Sequence, residues 1–268
     1  MPTTAPRLFF NDINPFTQLW VKNLWPAART LTKDIRELTP NDAAGYRRCH
    51  FFAGIGGWEL ALAMAGWPEN VTVWTGSCPC QPFSEAGLKR RDEDERDLWP
   101  HLYRLVRECQ PPVVFGEQVA NPLGLEWIDR VQADLEEGGY AVGKAVIPAA
   151  SVGAPHDRKR VWWVGYSTRA RLERLRPIHR RVAPSWDSWS DGISIIDCTD
   201  GKRRRTQSGV RPLAHGIPRR MDQIIAYGNA IVPQVAGVFI RSFMEVIWPD
   251  LCYNSRSVFT GRLKGSLS

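Results

Sequence analysis

The chain has 268 residues, of which 35 are Lys or Arg and 28 are Asp or Glu. At this length we expect one large domain, or one domain with a small appendage. Hydrophobic residues make up 43% of the chain, an ordinary globular share that excludes a disordered protein. No apolar run approaches the roughly 18 residues of a membrane span, and the N-terminus lacks the apolar core of a signal peptide. We therefore expect a soluble, cytoplasmic protein with no membrane partner.

The six cysteines lie at positions 49, 78, 80, 109, 198 and 252 and form no CxxC pair. This spacing argues against a structural zinc site, and we predict no bound metal. In a cytoplasm these thiols are expected to be reduced.

The net charge of +7 is concentrated in residues 166–220, which hold 13 Lys or Arg against five Asp or Glu. The other 213 residues therefore carry a net charge of −1. A neutral body with one basic segment suggests that one face meets a polyanion. Charge alone fits a solvated basic loop equally well.

In chain order, the N-terminal 48 residues predict short strands at 8–10 and 30–32, with a helix at 18–24 between them. A further short helix is predicted to begin at Thr39, since Pro40 suits the first helical position and Asp42 the first turn.

From Cys49 onwards, short apolar strands alternate with helical patterns. The predicted strands are residues 49–52, 71–75, 113–115, 140–147 and 160–165, and the predicted helices follow Gly57 and cover residues 98–109 and 125–135. This alternation predicts an α/β fold with a mostly parallel sheet and helices on both faces. Ligands of such sheets bind at the carboxyl ends of the strands.

Residues 167–213 break this rhythm and are rich in Arg, Ser and Trp, so we assign them to a small basic recognition lobe. Within it, residues 193–196 and the stretch after Asp200-Gly201 predict a hairpin, because Asp-Gly is a strong turn signal. Residues 1–166 form the main domain, residues 214–253 return to it, and residues 254–268 are predicted to be a frayed tail.

Two loops carry residues that suggest chemistry. Glycines at 54, 56 and 57 follow a predicted strand, where the backbone can approach a ligand, although a plain tight turn is the commoner explanation. The loop at residues 79–84 is more specific, because a cysteine held between prolines can be presented as a nucleophile. Cys80 is that candidate, and Cys78 is expected to be a buried structural thiol.

Five motifs, in family order, resemble those of the DNA (cytosine-5) methyltransferase family. They are Phe52-Ala53-Gly54-Ile55-Gly56-Gly57, Pro79-Cys80-Gln81-Pro82-Phe83-Ser84, Glu117-Gln118-Val119, His156-x-Arg158-x-Arg160 and Gly228-Asn229-Ala230. The resemblance covers residues 49–240 apart from the basic lobe. It implies a Rossmann-like, S-adenosylmethionine-dependent methyltransferase fold. Gln118 and His156 depart from the family's Asn and Gln, so the hydrogen bonds around the site must differ.

One part of the family pattern is missing after Gly57, where only one helix and one strand fit before Thr75. The family places two further strands there, whose ends supply acidic residues to the cofactor. The segments Asp12-Ile13-Asn14-Pro15-Phe16 and Asp34-Ile35 resemble those motifs, with Asn14 in place of the usual Asp. We therefore expect a compact, phage-like, circularly permuted member. Its strand at 8–10 should then lie parallel to the strand at 49–52; the alternative is that residues 1–48 are an unrelated appendage.

The resemblance implies a role for each matched residue. Cys80 would attack C6 of cytosine, and Glu117 in its acid form would protonate or hydrogen-bond N3. Arg158 would hold the O2 edge of the base, and Arg160 would support Glu117 or the pocket. The implied cofactor contacts are Asp12, Ile13, Asp34, Ile35, Phe52, Ala53, Gly54, Ile55, Gly56, Pro79, Asn229 and Ala230. The expected substrate contacts are Gln81, Ser84, Arg203, Arg204 and Arg205.

These residues predict methyl transfer from S-adenosylmethionine to C5 of a cytosine flipped out of double-stranded DNA, by a monomer. The same chemistry on RNA stays open, because one branch of the family methylates transfer RNA. A catalytically inactive DNA-binding relative is a third reading, against which the intact Cys80 and Glu117 argue. A nicotinamide dehydrogenase explains neither the Pro-Cys-Gln loop nor the missing third glycine of the dinucleotide fingerprint.

Overall fold

The computed structural model describes residues 7–79, 97–170, 172, 193–197, 203–207 and 229–249. Its strands are β1 (Leu8–Asn11), β2 (Arg29–Leu31), β3 (Arg48–Phe51), β4 (Val73–Gly76), β5 (Val113–Val119), β6 (Tyr140–Pro148), β7 (Lys159–Ser167), β8 (Ile193–Asp197) and β9 (Arg203–Gln207). Its helices are α1 (Pro15–Leu24), α2 (Pro40–Ala43), α3 (Gly57–Ala65), α4 (Trp99–Cys109), α5 (Pro122–Glu137) and α6 (Pro233–Ile247), with 3-10 turns at Ile35–Glu37 and Ala149–Val152.

Seven strands form one sheet in the order β2-β1-β3-β4-β5-β7-β6. Strands β1 to β5 are mutually parallel, and β7 is antiparallel to both of its neighbours. Helices cover both faces, so the chain has the predicted α/β fold, and ligands are expected at the carboxyl edge of the parallel strands.

The N-terminal strands are part of this sheet. Strand β1 pairs in parallel with β3, with Leu8 opposite Arg48 and Asn11 opposite Phe51, and β2 pairs on the outer side of β1. The predicted placement of the first strand is therefore confirmed. Residues 8–31 complete the sheet and are not an appendage.

Local sequence explains how this N-terminal unit turns. Asn11 ends β1 and its side chain donates hydrogen bonds to the carbonyls of Leu31 and Lys33, which fixes β2 beside β1. The side chain of Asn14 accepts from the N–H of Phe16 and caps α1. An asparagine caps a helix as well as an aspartate does, which suits the departure at this position.

Strand β5 is longer than predicted. The expected strand ended at Phe115, with Glu117 beyond it, but β5 continues to Val119 and Glu117 lies inside the strand. The reason is its antiparallel pairing with β7. Every residue of β5 has a partner on β7, up to Val119, which lies opposite Arg160. Gly116 and Glu117 are poor strand formers, so the apolar pattern alone stopped too early.

Two apolar clusters cover the two faces of the sheet. Helices α4 and α5 pack on one face around Trp99, Trp127 and Trp163, and helices α3 and α6 pack on the other around Trp58 and Trp162. Burying each such side chain contributes about 1.5–3 kcal/mol or more, so these two layers hold the sheet in place beneath the site.

The predicted hairpin in the basic lobe is confirmed, since β8 pairs antiparallel with β9, with Asp197 opposite Arg203 and Ile193 opposite Gln207. The predicted boundaries of this lobe and of the tail fall largely outside the described residues. Cys80, Gln81 and Ser84 also lie outside them. Within the described ranges, no helix is both long enough and apolar enough to cross a membrane.

Candidate functional site

A cavity of about 460 Å³ opens at the carboxyl edge of the parallel strands. It is lined by residues of β1, β5 and β7 and by the segments that follow β1, β2, β3 and β4. The predicted site residues that line it are Asp12, Ile13, Asp34, Ile35, Phe52, Gly54, Pro79, Glu117, Arg158, Arg160 and Asn229. Residues far apart in the sequence thus converge on one cavity.

One end of the cavity holds a buried carboxyl group between two arginines. Glu117 is only 8% exposed, and its Oε2 lies 3.3 Å from Nε of Arg160 in an ion pair. The angles do not make this contact a hydrogen bond, so Oε2 has no hydrogen-bond partner among the described residues. Burial raises the pKa of Glu117, although the positive charges of Arg160 and Arg158 partly offset this rise. The group is therefore disposed to hold a proton.

Arg158 stands beside this carboxyl group and reaches the C-terminal part of the chain. Its Nη2 donates to the carbonyl of Ala230 at 3.2 Å, while its buried Nε has no hydrogen-bond partner among the described residues. Burial, together with the positive charge of Arg160, lowers the pKa of Arg158. Arg158 thus links strand β7 to the segment that carries Asn229.

The loop that leads into Cys80 is fixed from strand β5. Gln118 donates through Nε2 to the carbonyl of Cys78 at 3.3 Å, and its Oε1 accepts from the N–H of Val119. The Cys78 thiol is buried and its pKa is raised by that burial, as expected for an inert structural cysteine. Gln118 is a positioning residue that the sequence showed only as a departure from the family pattern.

The opposite end of the cavity is built around Asp12. Its Oδ2 accepts from the N–H of Gly54 at 2.8 Å, and its Oδ1 accepts from the N–H of Asn14 at 2.9 Å. One carboxylate from the N-terminal segment therefore holds the glycine loop that follows β3. Each of its oxygens keeps lone pairs for a further donor in the cavity.

Asp34 is engaged locally. Both of its oxygens accept from Arg36, and it caps the 3-10 turn Ile35–Glu37. Its hydrogen bonds with Arg36 lower the pKa of Asp34 to about 2. Of the two isoleucines next to these acids, Ile13 is 65% exposed and Ile35 is 3% exposed.

Four predicted cofactor residues do not line this cavity. Ala53 is buried against Phe10 and Val21. Ile55, Gly56 and Ala230 line a neighbouring apolar cavity of about 870 Å³. The glycine loop turns sharply at Gly56, whose φ is +85°, and a Cβ there would collide with the ring of Trp25.

Other residues line the cavity that sequence reasoning did not single out. They are Asn11, Thr17, Lys33, Ser77 and Leu98. Lys33 pairs with Asp42 at 3.3 Å. For Asn11 and Lys33, the sequence offers one indication of a role: each lies next to a motif residue, Asp12 and Asp34 respectively. No cluster of His, Cys, Asp and Glu suited to a metal ion occurs within the described ranges.

Residues 67–188 match the family model described as C-5 cytosine-specific DNA methylase. This part of the chain is therefore similar to that family. The matched range contains Cys80, Glu117, Arg158 and Arg160, and it excludes the N-terminal strands, the glycine loop and Asn229.

Curated relatives agree with this family. The chain is 34% identical over 112 residues to the type II methyltransferase M.AplI of Arthrospira platensis, an alignment that covers 41% of this chain and 32% of the relative. It is 33% identical over 157 residues to the type II methyltransferase M.BsuRI of Bacillus subtilis, covering 57% of this chain and 34% of the relative. The chain thus spans about a third of the length of these relatives.

Among solved structures, the chain is similar to a DNMT2 variant of Spodoptera frugiperda. The TM-score is 0.42 at 21% identity, and the superposition covers 65% of this chain and 45% of that one.

Proposed function

We propose that this protein is an S-adenosylmethionine-dependent DNA (cytosine-5) methyltransferase. The observation that carries the proposal is the single cavity that joins Glu117 and its two arginines, the Pro79 that precedes Cys80, and the Asp12 carboxylate at the glycine loop. A proton-holding carboxyl group at one end, with a hydroxyl acceptor at the other, suits a nucleobase and an adenosine-containing cofactor.

The residues of the cavity fit S-adenosylmethionine. The Asp12 carboxylate has lone pairs left for ribose hydroxyls, and Ile13 and Ile35 offer apolar contacts to adenine. A Cβ built on Gly54 meets nothing within 4 Å, so the cavity is open directly above the glycine loop. When bound, the cofactor supplies the methyl group as an electrophile. The local bonds of Asp34 with Arg36 leave it fewer lone pairs for the adenine amine.

At the catalytic end, cytosine C5 is too poor a nucleophile to react unaided. In the proposed reaction the Sγ of Cys80 forms a bond to C6, which raises the electron density at C5. Glu117 holds its proton at N3 and so stabilises the charge that develops on the ring. Arg160 keeps the carboxyl group in place, and Arg158 binds the O2 edge. Once C5 carries the methyl group, loss of the C5 proton and of the Cys80 thiolate restores the aromatic ring.

The substrate side of the proposal rests on charge and on the relatives. A stacked cytosine cannot reach a buried carboxyl group, so the target base has to be flipped out of the duplex. The basic lobe with its β8–β9 hairpin carries Arg203, Arg204 and Arg205, which would contact backbone phosphates. The curated relatives are type II methyltransferases by name, which favours DNA as the substrate.

Bisulfite sequencing tests the proposal. DNA from cells that express the chain should contain 5-methylcytosine in one short sequence context, and DNA from cells that express Cys80→Ser should contain none. Absence of methylation in both DNA samples, with folded protein present, would refute DNA methylation. Assays of purified protein with RNA and DNA oligonucleotides of the same sequence then separate the two substrates, and a preference for RNA would replace this proposal with the RNA alternative.

A further inference from the structure

One aromatic side chain contacts the segment after β4 and residues of both β5 and β7. Trp58 is the second residue of α3 and comes directly after the glycine loop. Its indole Nε1 donates to Oγ of Ser77 at 2.9 Å, and Ser77 lies three residues before Cys80. The glycine loop and the approach to the nucleophile are thus joined by one hydrogen bond.

The ring of the same tryptophan supports the proton-holding end of the cavity. It packs edge-on against Trp162, with ring centres 5.6 Å apart. It also stacks on Phe115, with ring centres 6.3 Å apart and an angle of 25° between the ring planes. Trp162 stands directly opposite Glu117 in the β5–β7 ladder, and Phe115 lies on the same face of β5 two residues earlier. Trp58 therefore contacts Ser77 directly and two neighbours of Glu117, Trp162 and Phe115.

Helix α3 is itself fixed, so Trp58 has little freedom to shift. Glu59, the next residue, accepts from Arg48 at 2.6 Å and contacts Nε2 of His50 at 3.2 Å, both on strand β3. The other ring nitrogen of His50 contacts Oγ1 of Thr75 on β4, at 2.9 Å. These groups are all buried, so this network resists rearrangement.

We propose that Trp58 is a positioning residue that couples the glycine loop to the loop bearing Cys80. It is 2% exposed, so its N–H has no access to water if Ser77 moves away. Ser77 lines the cavity, and its oxygen is held by the indole, which sets the direction of the chain towards Pro79 and Cys80. This inference rests on the proposed function, whereas the contacts of Trp58 are independent of that function.

Trp58→Phe is the test, because it keeps an aromatic ring and removes the N–H. Trp67→Phe is a matched control just beyond the C-terminal end of α3. Trp67 is also buried, donates its indole N–H to the carbonyl of Val71 at 3.0 Å, and packs against Phe115. It does not line the cavity. Both substitutions should lower the melting temperature by similar amounts.

Only Trp58→Phe should reduce kcat, by tenfold or more, with KM for S-adenosylmethionine changed less than threefold. Ser77→Ala should reproduce the effect, and the double variant should be no slower than the slower single variant, since both remove one bond. Equal kcat in Trp58→Phe and Trp67→Phe, or additive losses in the double variant, would overturn the inference. If Trp58→Phe does not fold, Ser77→Ala is compared with Trp67→Phe instead. A lower kcat in Ser77→Ala alone supports the inference, and equal kcat in the two variants overturns it.

A second readout needs neither cofactor nor DNA. The alkylation rate of Cys80 by iodoacetamide, followed by peptide mass spectrometry, should change at least threefold in Trp58→Phe and stay within error of wild type in Trp67→Phe. An unchanged rate in both variants contradicts the coupling. A wild-type protein that methylates no nucleic acid refutes the proposed function, while this comparison still tests the position of Cys80.

Discussion

The backbone N–H of Gly54 donates a hydrogen bond of 2.8 Å to Oδ2 of Asp12, a residue 42 positions earlier in the chain. The bond joins the end of the first strand to the loop after the third, which are neighbours in the sheet. The end of the cavity that we propose for the cofactor therefore depends on the N-terminal segment, as the permuted order of motifs predicts.

Asp12→Ala should weaken binding of S-adenosylhomocysteine by about ten- to a hundredfold. The substitution removes a charge-assisted acceptor, worth about 1.5–3 kcal/mol when desolvated, and it frees the glycine loop. Calorimetric titration measures the dissociation constant. Asp129→Ala removes a carboxylate on α5 that is 70% exposed and should leave binding unchanged. Equal affinity in Asp12→Ala and wild type would place the ribose elsewhere.

Cys80→Ser should abolish the covalent adduct with an oligonucleotide that contains 5-fluorocytosine, because that substrate traps the enzyme after attack at C6. Cys78→Ser should still form the adduct, since burial raises the pKa of the Cys78 thiol and keeps it protonated. Denaturing gel electrophoresis shows the adduct. An adduct in Cys80→Ser, or its loss in a folded Cys78→Ser protein, would contradict the assignment of the nucleophile.

Activity should fall at high pH as Glu117 loses its proton. Burial raises the pKa of Glu117 above its ordinary 4.5, so the acid form persists to higher pH and is lost as pH rises through that raised value. Glu117→Gln should lower kcat about 10²–10⁴-fold and remove this limb of the pH profile. Glu137→Gln, which changes an exposed carboxylate on α5, should retain the limb. Persistence of the limb in Glu117→Gln would assign it to another group.

Asp34→Asn should destabilise the fold by up to about 1 kcal/mol at neutral pH, because it keeps a capping side chain but removes the charge that pairs with Arg36. The folded pKa of Asp34, about 2, lies below its ordinary 3.8, so this stabilisation is present above pH 3.8 and is lost as pH falls through about 2. Urea unfolding at a series of pH values measures the difference from wild type. A difference that does not shrink between pH 4 and pH 2 would show that the charge of Asp34 is not its source.

Replacing Arg203, Arg204 and Arg205 with Ala should weaken DNA binding for all sequences. Each lost phosphate contact should reduce the slope of log K against log salt by about 0.9. Fluorescence anisotropy at several salt concentrations gives the slope. Lys144→Ala on strand β6 is the control, because Lys144 already pairs with Asp129. The same slope in the triple variant and wild type would mean that these arginines do not meet phosphates.

Sequence reasoning predicted the strand order around β3 because motif order and strand pairing follow the same connections. The family resemblance also predicted that Arg160 supports Glu117, and the two residues form an ion pair. It missed the extension of β5 through Gly116 and Glu117, because that stretch forms a strand only through its pairing with β7. The Trp58–Ser77 bond was equally invisible, because it depends on the rotamer of a side chain packed between four elements.

The antiparallel direction of β7 also determines how the basic lobe is attached. The chain leaves the cavity edge at Lys159 and reaches the opposite edge of the sheet at Ser167, after roughly 30 Å of strand. There the carbonyl of Leu172 accepts from Trp248 on the main domain, and the chain re-enters the cavity wall at Asn229. Residues 173–228 are therefore bounded on both sides by residues that contact the main domain.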